Sequence, residues 1–404
     1  MAVEKRFSKV ASLTDLNFDC ILEVFRWLSL KDAMNLAETC NDMQDVADYV
    51  FKKTVTELEM DFGVDMKQAL HQVGSYLTAI TLVMDKCEIT EKQFVEISER
   101  CKNVRSVTLI AFKRNLINPT AFFTNLSGLD NVTLTDSCLA RDEDFFKPLT
   151  KLKSVNIKKC SERERLALIK CFEQNRNITS FTCTSLCASI VPMVPNLERL
   201  SMNFCPERAL HINHIENFEH LRYLTMHSLE GNPCPILTIL AERGILEELV
   251  IINVIATEQM FRVIKKFNKL KFLGIGKQIQ CAPPEVLPPQ LEVLKLGGFR
   301  FSKNTMSNMV KHHKRLKYIN LENCFVYEGG CYCDYFKALA SFTLVELMPY
   351  KDREIHVSIV STDYSPPPVI ITTAHDLWIR NFMEDFKMFE ISYPGLDRVE
   401  FGFI

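Results

Sequence analysis

The chain has 404 residues, room for two or three compact domains or for one long repeat array with an appendage. Hydrophobic residues make up 47% and charged residues 24%, which excludes disorder as the dominant state. Forty-eight basic residues against fifty acidic ones leave a net charge of −2, and a nucleic-acid binder that tracks phosphates would carry a basic excess. Glycine is scarce (13) and phenylalanine plentiful (28), which favours a large apolar core over glycine-rich phosphate loops. Residues 1–10 are mixed and charged with no apolar stretch ahead of a cleavage site, so no secretory leader is expected. No segment reaches the roughly 18 apolar residues of a membrane span. The longest candidate, 245–256, holds Glu247 and Glu248. Fifteen cysteines, an odd number scattered along the chain, read as buried thiols in a reducing compartment, the cytoplasm or the nucleus.

After a tail over 1–10, residues 11–53 carry a helical pattern: Leu16, then Ile21, Leu22, Phe25 and Leu28, then Met34, Leu36 and Ala37. Ser29 and Lys31-Asp32 interrupt it as a short connection between helices would, and Val46, Tyr49 and Val50 mark a third helix. Three short helices bury little on their own, so they are expected to pack on a neighbour or a partner.

From Val55 a different pattern takes over: apolar, two residues, apolar, one residue, apolar. Its clearest copies are Leu197–Leu200–Met202, Leu246–Leu249–Ile251, Leu270–Leu273–Ile275, Leu291–Leu294–Leu296 and Leu316–Ile319–Leu321. Weaker copies begin at Val55, Leu77, Val104, Leu129, Leu152, Ile178, Leu221 and Phe342, and two degenerate ones at Pro366 and Leu396. The mean spacing is about 24 residues, inside the ~20–29 range of leucine-rich repeats. Within a copy the last two apolar residues alternate, as on one face of a short strand. Helical stretches lie between copies, at 91–100, 161–174, 257–267 and 302–313. One strand-plus-helix unit cannot bury its own apolar face, so the units must stack over a common core. The expected fold class is an α/β repeat: three helices, then a curved solenoid over 54–404 with strands concave and helices convex, degenerate from about 350.

Two resemblances follow. The segment Ile89-Thr90-Glu91 with Phe94, Ile97, Cys101 and Val104 resembles the cysteine-containing subtype of leucine-rich repeats, and Cys160, Cys205 and Cys324 stand at the matching place in their own copies. Leu13-Thr14-Asp15-Leu16, then Cys20 to Asp32, then Cys40, resembles an F-box. Thr14 stands where that family has proline and Met43 near its usual tryptophan. The combination is similar to the substrate receptors of Skp–cullin–F-box ubiquitin ligases. It implies docking of Leu13, Leu16, Ile21, Leu22, Phe25 and Leu28 on a Skp-type adaptor, which leads to a cullin and a RING subunit. The helix spacing leaves open whether each of the six faces the adaptor or the unit's own core. It also leaves open a leucine-rich-repeat scaffold whose F-box has drifted away from adaptor binding.

If the strand register holds, the solvent-facing positions lie between the apolar ones. Arg199, Tyr223, Phe272 and Tyr318 are the sharpest candidates for contact with a protein substrate, since Arg and Tyr favour binding hot spots. The same residues also suit strands for their own sake. Zinc needs paired cysteine ligands, and Cys331-Tyr332-Cys333 or Cys183 with Cys187 lack a second pair. His211 and His214 lack the accompanying glutamate of a zinc-protease helix. There is no Gly-x-Ser-x-Gly elbow and no phosphate loop. The expectation is a non-catalytic chain with no metal, no cofactor, no nucleic-acid partner and no membrane.

Overall fold

The computed structural model describes residues 13, 16–60, 66–84, 90–112, 120–137, 144–158, 165–183, 194–203, 218–227, 232–253, 255–276, 283, 286–302, 304–326, 346–347, 349, 355–360 and 389–392. They belong to two compact units, Met1–Ile178 and Thr179–Ile404.

The first unit opens with three helices, α1 (Phe18–Trp27), α2 (Leu30–Ala37) and α3 (Asn41–Thr54). The Asn17 side chain accepts the Cys20 N–H at 2.9 Å and Ser29 Oγ accepts the Asp32 N–H at 3.2 Å, so α1 and α2 each start on a side-chain cap. The interruption read at Ser29 is such a cap. Ile21 and Phe25 of α1, Met34 of α2, and Met43, Val46 and Phe51 of α3 are all buried, and α3 packs on both α1 and α2. Helix α4 (Met66–Val73) then packs on α2 and α3. The Glu38 carboxylate fastens it, accepting from Gln68 Nε2 at 2.7 Å and Gln72 Nε2 at 3.2 Å. The three helices are therefore roofed by the first repeat, which supplies the apolar cover they lack alone.

Five parallel strands follow in chain order, β1 (Glu57–Met60), β2 (Ala79–Val83), β3 (Ser106–Ile110), β4 (Asn131–Thr135) and β5 (Ser154–Lys158). The apolar residues of each repeat alternate inward, Ile80 and Leu82 registering with Val107 and Leu109 and those with Val132 and Leu134. Helices α5 (Glu91–Arg100), α6 (Thr120–Asn125) and α7 (Arg165–Gln174) lie between strands. Thr90 and Gln93 close a reciprocal cap on α5. A run of phenylalanines joins successive repeats: Phe94 stacks on Phe122 at 4.1 Å, and Phe123 and Phe112 each meet Phe145 edge-on. Much of the aromatic excess is core mortar.

Asn175, buried just beyond α7, ties one repeat to the preceding one. It donates to the Leu149 carbonyl at 2.7 Å and to the Cys171 carbonyl at 2.9 Å, and accepts the Leu152 N–H at 2.9 Å.

The second unit continues with β6 (Ser180–Cys183), β7 (Arg199–Asn203), β8 (Tyr223–His227), α8 (Cys234–Arg243), β9 (Glu248–Ile252), α9 (Glu258–Ile264), β10 (Phe272–Gly276) and β11 (Val293–Gly297). Then come β12 (Arg300–Phe301), α10 (Thr305–His312), β13 (Tyr318–Glu322), β14 (Phe325–Val326), β15 (His356–Val360) and β16 (Phe389–Ser392). Neighbours are parallel in the order β6 to β11, then β13, β15 and β16, while β12 and β14 form a separate pair. This is the leucine-rich-repeat organisation: one short strand per repeat, each registered on the next.

Strand ends recur as well. Ala111, Asp136, Asn253, Gly298 and Asn323 follow β3, β4, β9, β11 and β13 with left-handed backbones, φ between 50° and 75°. The Ala111 N–H reaches the Thr135 carbonyl at 2.9 Å and the Gly298 N–H the Glu322 carbonyl at 2.8 Å, so this conformation carries the ladder one residue past each strand. Asn, Asp and Gly tolerate it; Ala111 does not.

The expected copy at Phe342 needs correction. Residues 346–347 are helical, and the ladder strand next to β13 is β15, with Val357 and Ile359 buried. The buried Glu346 carboxylate accepts the N–H groups of Asn304 and Ser307 at the start of α10, which ties this stretch to capping rather than to the ladder. In the β15 repeat, Glu354 stands where the first apolar residue belongs, so the template passes over it. Strand β16 belongs to a copy at Phe386–Phe389–Ile391 that was not foreseen. The copies proposed at Pro366 and Leu396, and Thr14, Cys160, Cys187, Cys205, His211, His214, Cys331 and Cys333, lie outside the described residues.

Candidate functional site

The helical unit offers the first surface. Of the six residues proposed for adaptor contact, Ile21 and Phe25 are only 5% and 3% exposed and belong to the internal core. Their burial sits with α3, the helix that α1 packs on. Leu13 and Leu16 are exposed, and Leu22 and Leu28 half-buried. Three residues outside the proposed set join them. Phe18 and Tyr49 are exposed and meet edge-on with ring centroids 5.6 Å apart, and Lys53 Nζ lies 4.2 Å over the Tyr49 ring. Trp27, 83% exposed, stands on the opposite side of α1 with its Nε1 donating to Glu23. Leu16, Phe18 and Leu22 flank the buried Ile21/Phe25 stripe, so α1 turns one apolar arc inward and leaves its neighbour bare.

The open face of the second unit's sheet is the other surface. Arg199, Tyr223, Phe272 and Tyr318 occupy one line across it, because Arg199 registers with Tyr223, then Glu248, Phe272, Val293, Tyr318 and His356 in turn. The structure therefore brings the four candidates into one row of solvent-facing positions. The Arg199 guanidinium lies over the Tyr223 ring at 3.9 Å, Lys295 Nζ over the Phe272 ring at 5.4 Å, and Tyr318 stacks on His356 at 4.8 Å. Further along the same strands, Ser201 Oγ and His227 Nε2 are 3.3 Å apart, and burial holds the imidazole below its usual pKa. The central threonines Thr81, Thr108 and Thr133 register with one another on the first unit's face.

A second feature escaped sequence reading. In two runs of successive repeats the residue just before the strand alternates in sign: Arg105, Asp130 and Lys153 before β3 to β5, and Glu198, Arg222, Glu247, Lys271, Glu292 and Lys317 before β7 to β11 and β13. Backbone bonds align them, the N–H of each in turn reaching the preceding carbonyl at 2.8 Å, as for Glu247 to Arg222 and Lys271 to Glu247. Lys271–Glu247 at 2.9 Å, Lys317–Glu292 at 3.1 Å, Arg222–Glu247 at 3.7 Å and Lys153–Asp130 at 3.7 Å are ion pairs. The Lys271 hydrogen bond, with smaller help from Arg222 and Lys269, holds the Glu247 carboxyl below its usual range, and Glu247 raises Lys271. Each of these partly exposed pairs adds little to the contact between neighbouring repeats.

Among the described residues no group of three or more His, Cys, Asp and Glu side chains converges as metal ligands would, and no helix is long and apolar enough to cross a membrane. Cys101 and Cys324 are buried, which pushes each thiol up to about 12, while Cys20 and Cys40 are exposed.

Residues 13–54 match the F-box domain. The F-box here is therefore the exposed Leu13/Leu16/Phe18/Tyr49 surface together with the Ile21/Phe25 core, joined through α4 to the leucine-rich repeats. F-box domains generally serve as non-catalytic adaptor-binding modules, engaging Skp-type adaptors. No curated protein matches this chain in sequence. Among solved structures, an internalin from Listeria monocytogenes aligns over 94% of this chain and 95% of its own, at 13% identity and a TM-score of 0.42. The assignment of the repeats rests on the strand ladder itself.

Proposed function

We propose that this chain is the target-selecting subunit of a Skp–cullin–F-box ubiquitin ligase. The F-box binds a Skp-type adaptor, the adaptor leads to a cullin and a RING subunit, and the repeats hold a protein marked for ubiquitin-dependent degradation. The observation that carries this reading is the pairing of an F-box match over 13–54 with a repeat sheet whose outer face bears an aromatic and cationic row. The chain itself does no bond chemistry. It acts by proximity, raising the effective concentration of a target lysine near charged ubiquitin. The place of action is the cytoplasm or the nucleus.

Adaptor contact falls to Leu13, Leu16, Leu22 and Leu28 with Phe18 and Tyr49, while Ile21 and Phe25 support that surface from beneath. The test keeps the chain whole, since removing the F-box would strip α4 of its cover. Affinity capture with mass spectrometry compares the natural chain with one carrying Leu16→Glu and Phe18→Glu. The expected outcome is loss of adaptor, cullin and RING subunits with target proteins retained. Retention of the ligase subunits by the double variant, or their absence from the natural chain, overturns the proposal.

A further inference from the structure

Most rim cations of the second unit are spent on its own carboxylates, Arg222 and Lys271 on Glu247 and Lys317 on Glu292. Arg199 and Lys295 differ. Both stand exposed on the open strand face, and both lie over an aromatic ring, at 3.9 Å from the Tyr223 centroid and 5.4 Å from that of Phe272. Neither forms an ion pair among the described residues. A cation steadied over a ring is already placed, so meeting an anion costs it less rotamer freedom.

Apart from Glu248, the surface between them is low and carries Val250, Phe272 and Gly274. Gly274 lifts no side chain from β10, and a Cβ there would touch the Phe272 ring and both Val250 methyl groups at 3.4 Å. Glu248 lies in the row between Tyr223 and Phe272, and Glu322 lies on β13, the strand beside that of Lys295. A uniformly acidic chain would be repelled at both points. The charges that fit are two separate carboxylates with apolar groups between.

We infer that this face takes an extended protein segment lying across the strands, with one carboxylate on Arg199, another on Lys295, and apolar side chains over Val250, Phe272 and Gly274. From β7 to β11 there are four strand steps, roughly 19 Å at ~4.8 Å each, the span of about six extended residues. The inference rests on the reading of the repeats as the target-binding half and names the chemistry of the target.

The test measures fluorescence anisotropy of short fluorescein-labelled peptides with the full-length protein. One peptide carries two Glu six positions apart with Leu and Phe between; controls replace either Glu by Lys or bring the two acids adjacent. The acidic peptide of correct spacing should bind, each control should bind about tenfold more weakly, and Arg199→Glu or Lys295→Glu should cost a similar factor. Exchanging Glu for Lys in the peptide should restore binding to the variant with the matching reversal, which a misfolded variant could not do. Equal binding of acidic and lysine peptides, or unchanged affinity in both variants, overturns the inference. Affinity capture separates this failure from that of the receptor reading. If the Arg199→Glu, Lys295→Glu chain still brings down the same targets with its adaptor, the acidic-segment rule is wrong and the receptor role stands.

Discussion

Asn175 gives the sharpest test of how adjacent repeats are fastened. It is 2% exposed and bridges the Leu149 carbonyl and the Leu152 N–H of the turn before β5. Truncation to alanine leaves both groups buried without that partner, at ~1–3 kcal/mol each. The lost Cys171 bond adds little, because the same carbonyl still accepts the backbone N–H of residue 175 at 2.9 Å. A total of about 3 kcal/mol follows, which for a unit of this size lowers the melting temperature by roughly 6–12 °C. Thermal unfolding followed by circular dichroism reads it, on whichever transition belongs to the first unit. Asn125→Ala is the control: Asn125 is exposed and donates to Ser98 Oγ at 2.9 Å, so its loss should cost about 1 kcal/mol or less. Equal, small shifts for the two variants would refute the claim that a buried amide holds the turns together.

Other outcomes follow from the same geometry. Ala111 carries a left-handed backbone where other repeats place Asn, Asp or Gly, so Ala111→Asn should stabilise by about 0.5–1 kcal/mol in denaturant titration. The Glu247 carboxyl is held below its ordinary pKa by Lys271, so folding favours its charged form. That contribution is present above the unfolded carboxylate pKa and lost as pH falls through the lower folded value. Glu247→Gln should therefore flatten the acid limb of the stability–pH curve, measured by urea unfolding at successive pH values, and an unchanged limb would count against the ladder. With iodoacetamide under native conditions and peptide mass spectrometry, Cys20 and Cys40 should label quickly. Cys101 and Cys324, whose burial disfavours the thiolate, should stay unlabelled until denaturant is added.

The fold was legible because each repeat must bury the same three positions. Leu270–Leu273–Ile275 and its relatives state the strand register outright, and Glu91–Arg100 emerged as the helix its spacing implies. The later repeats were not legible, since Glu354 breaks the pattern at β15 and proline-rich sequence drew attention from Phe386. The row of Arg199, Tyr223, Phe272 and Tyr318 was legible in part. Alternation along one strand exposes Arg199 or Phe272, but their alignment in one line needs the register between strands. The charge ladder was hidden for the same reason, its members being about 24 residues apart along the chain and one strand apart in space. The exposed face of the helical unit was the least legible. An amphipathic stripe such as Ile21–Phe25 looks alike whether it faces a partner or its own helices, and only the packing of α2 and α3 assigns it to the core.

Co-expression of the natural chain with a Skp-type adaptor, followed by size-exclusion chromatography, bears most directly on the central claim. The account predicts co-elution in a one-to-one complex, abolished by Leu16→Glu with Phe18→Glu while circular dichroism of the variant stays native. Separate elution of a folded natural chain and adaptor would contradict it, and the helical unit would then lack the partner that its exposed Leu13, Leu16, Phe18 and Tyr49 imply.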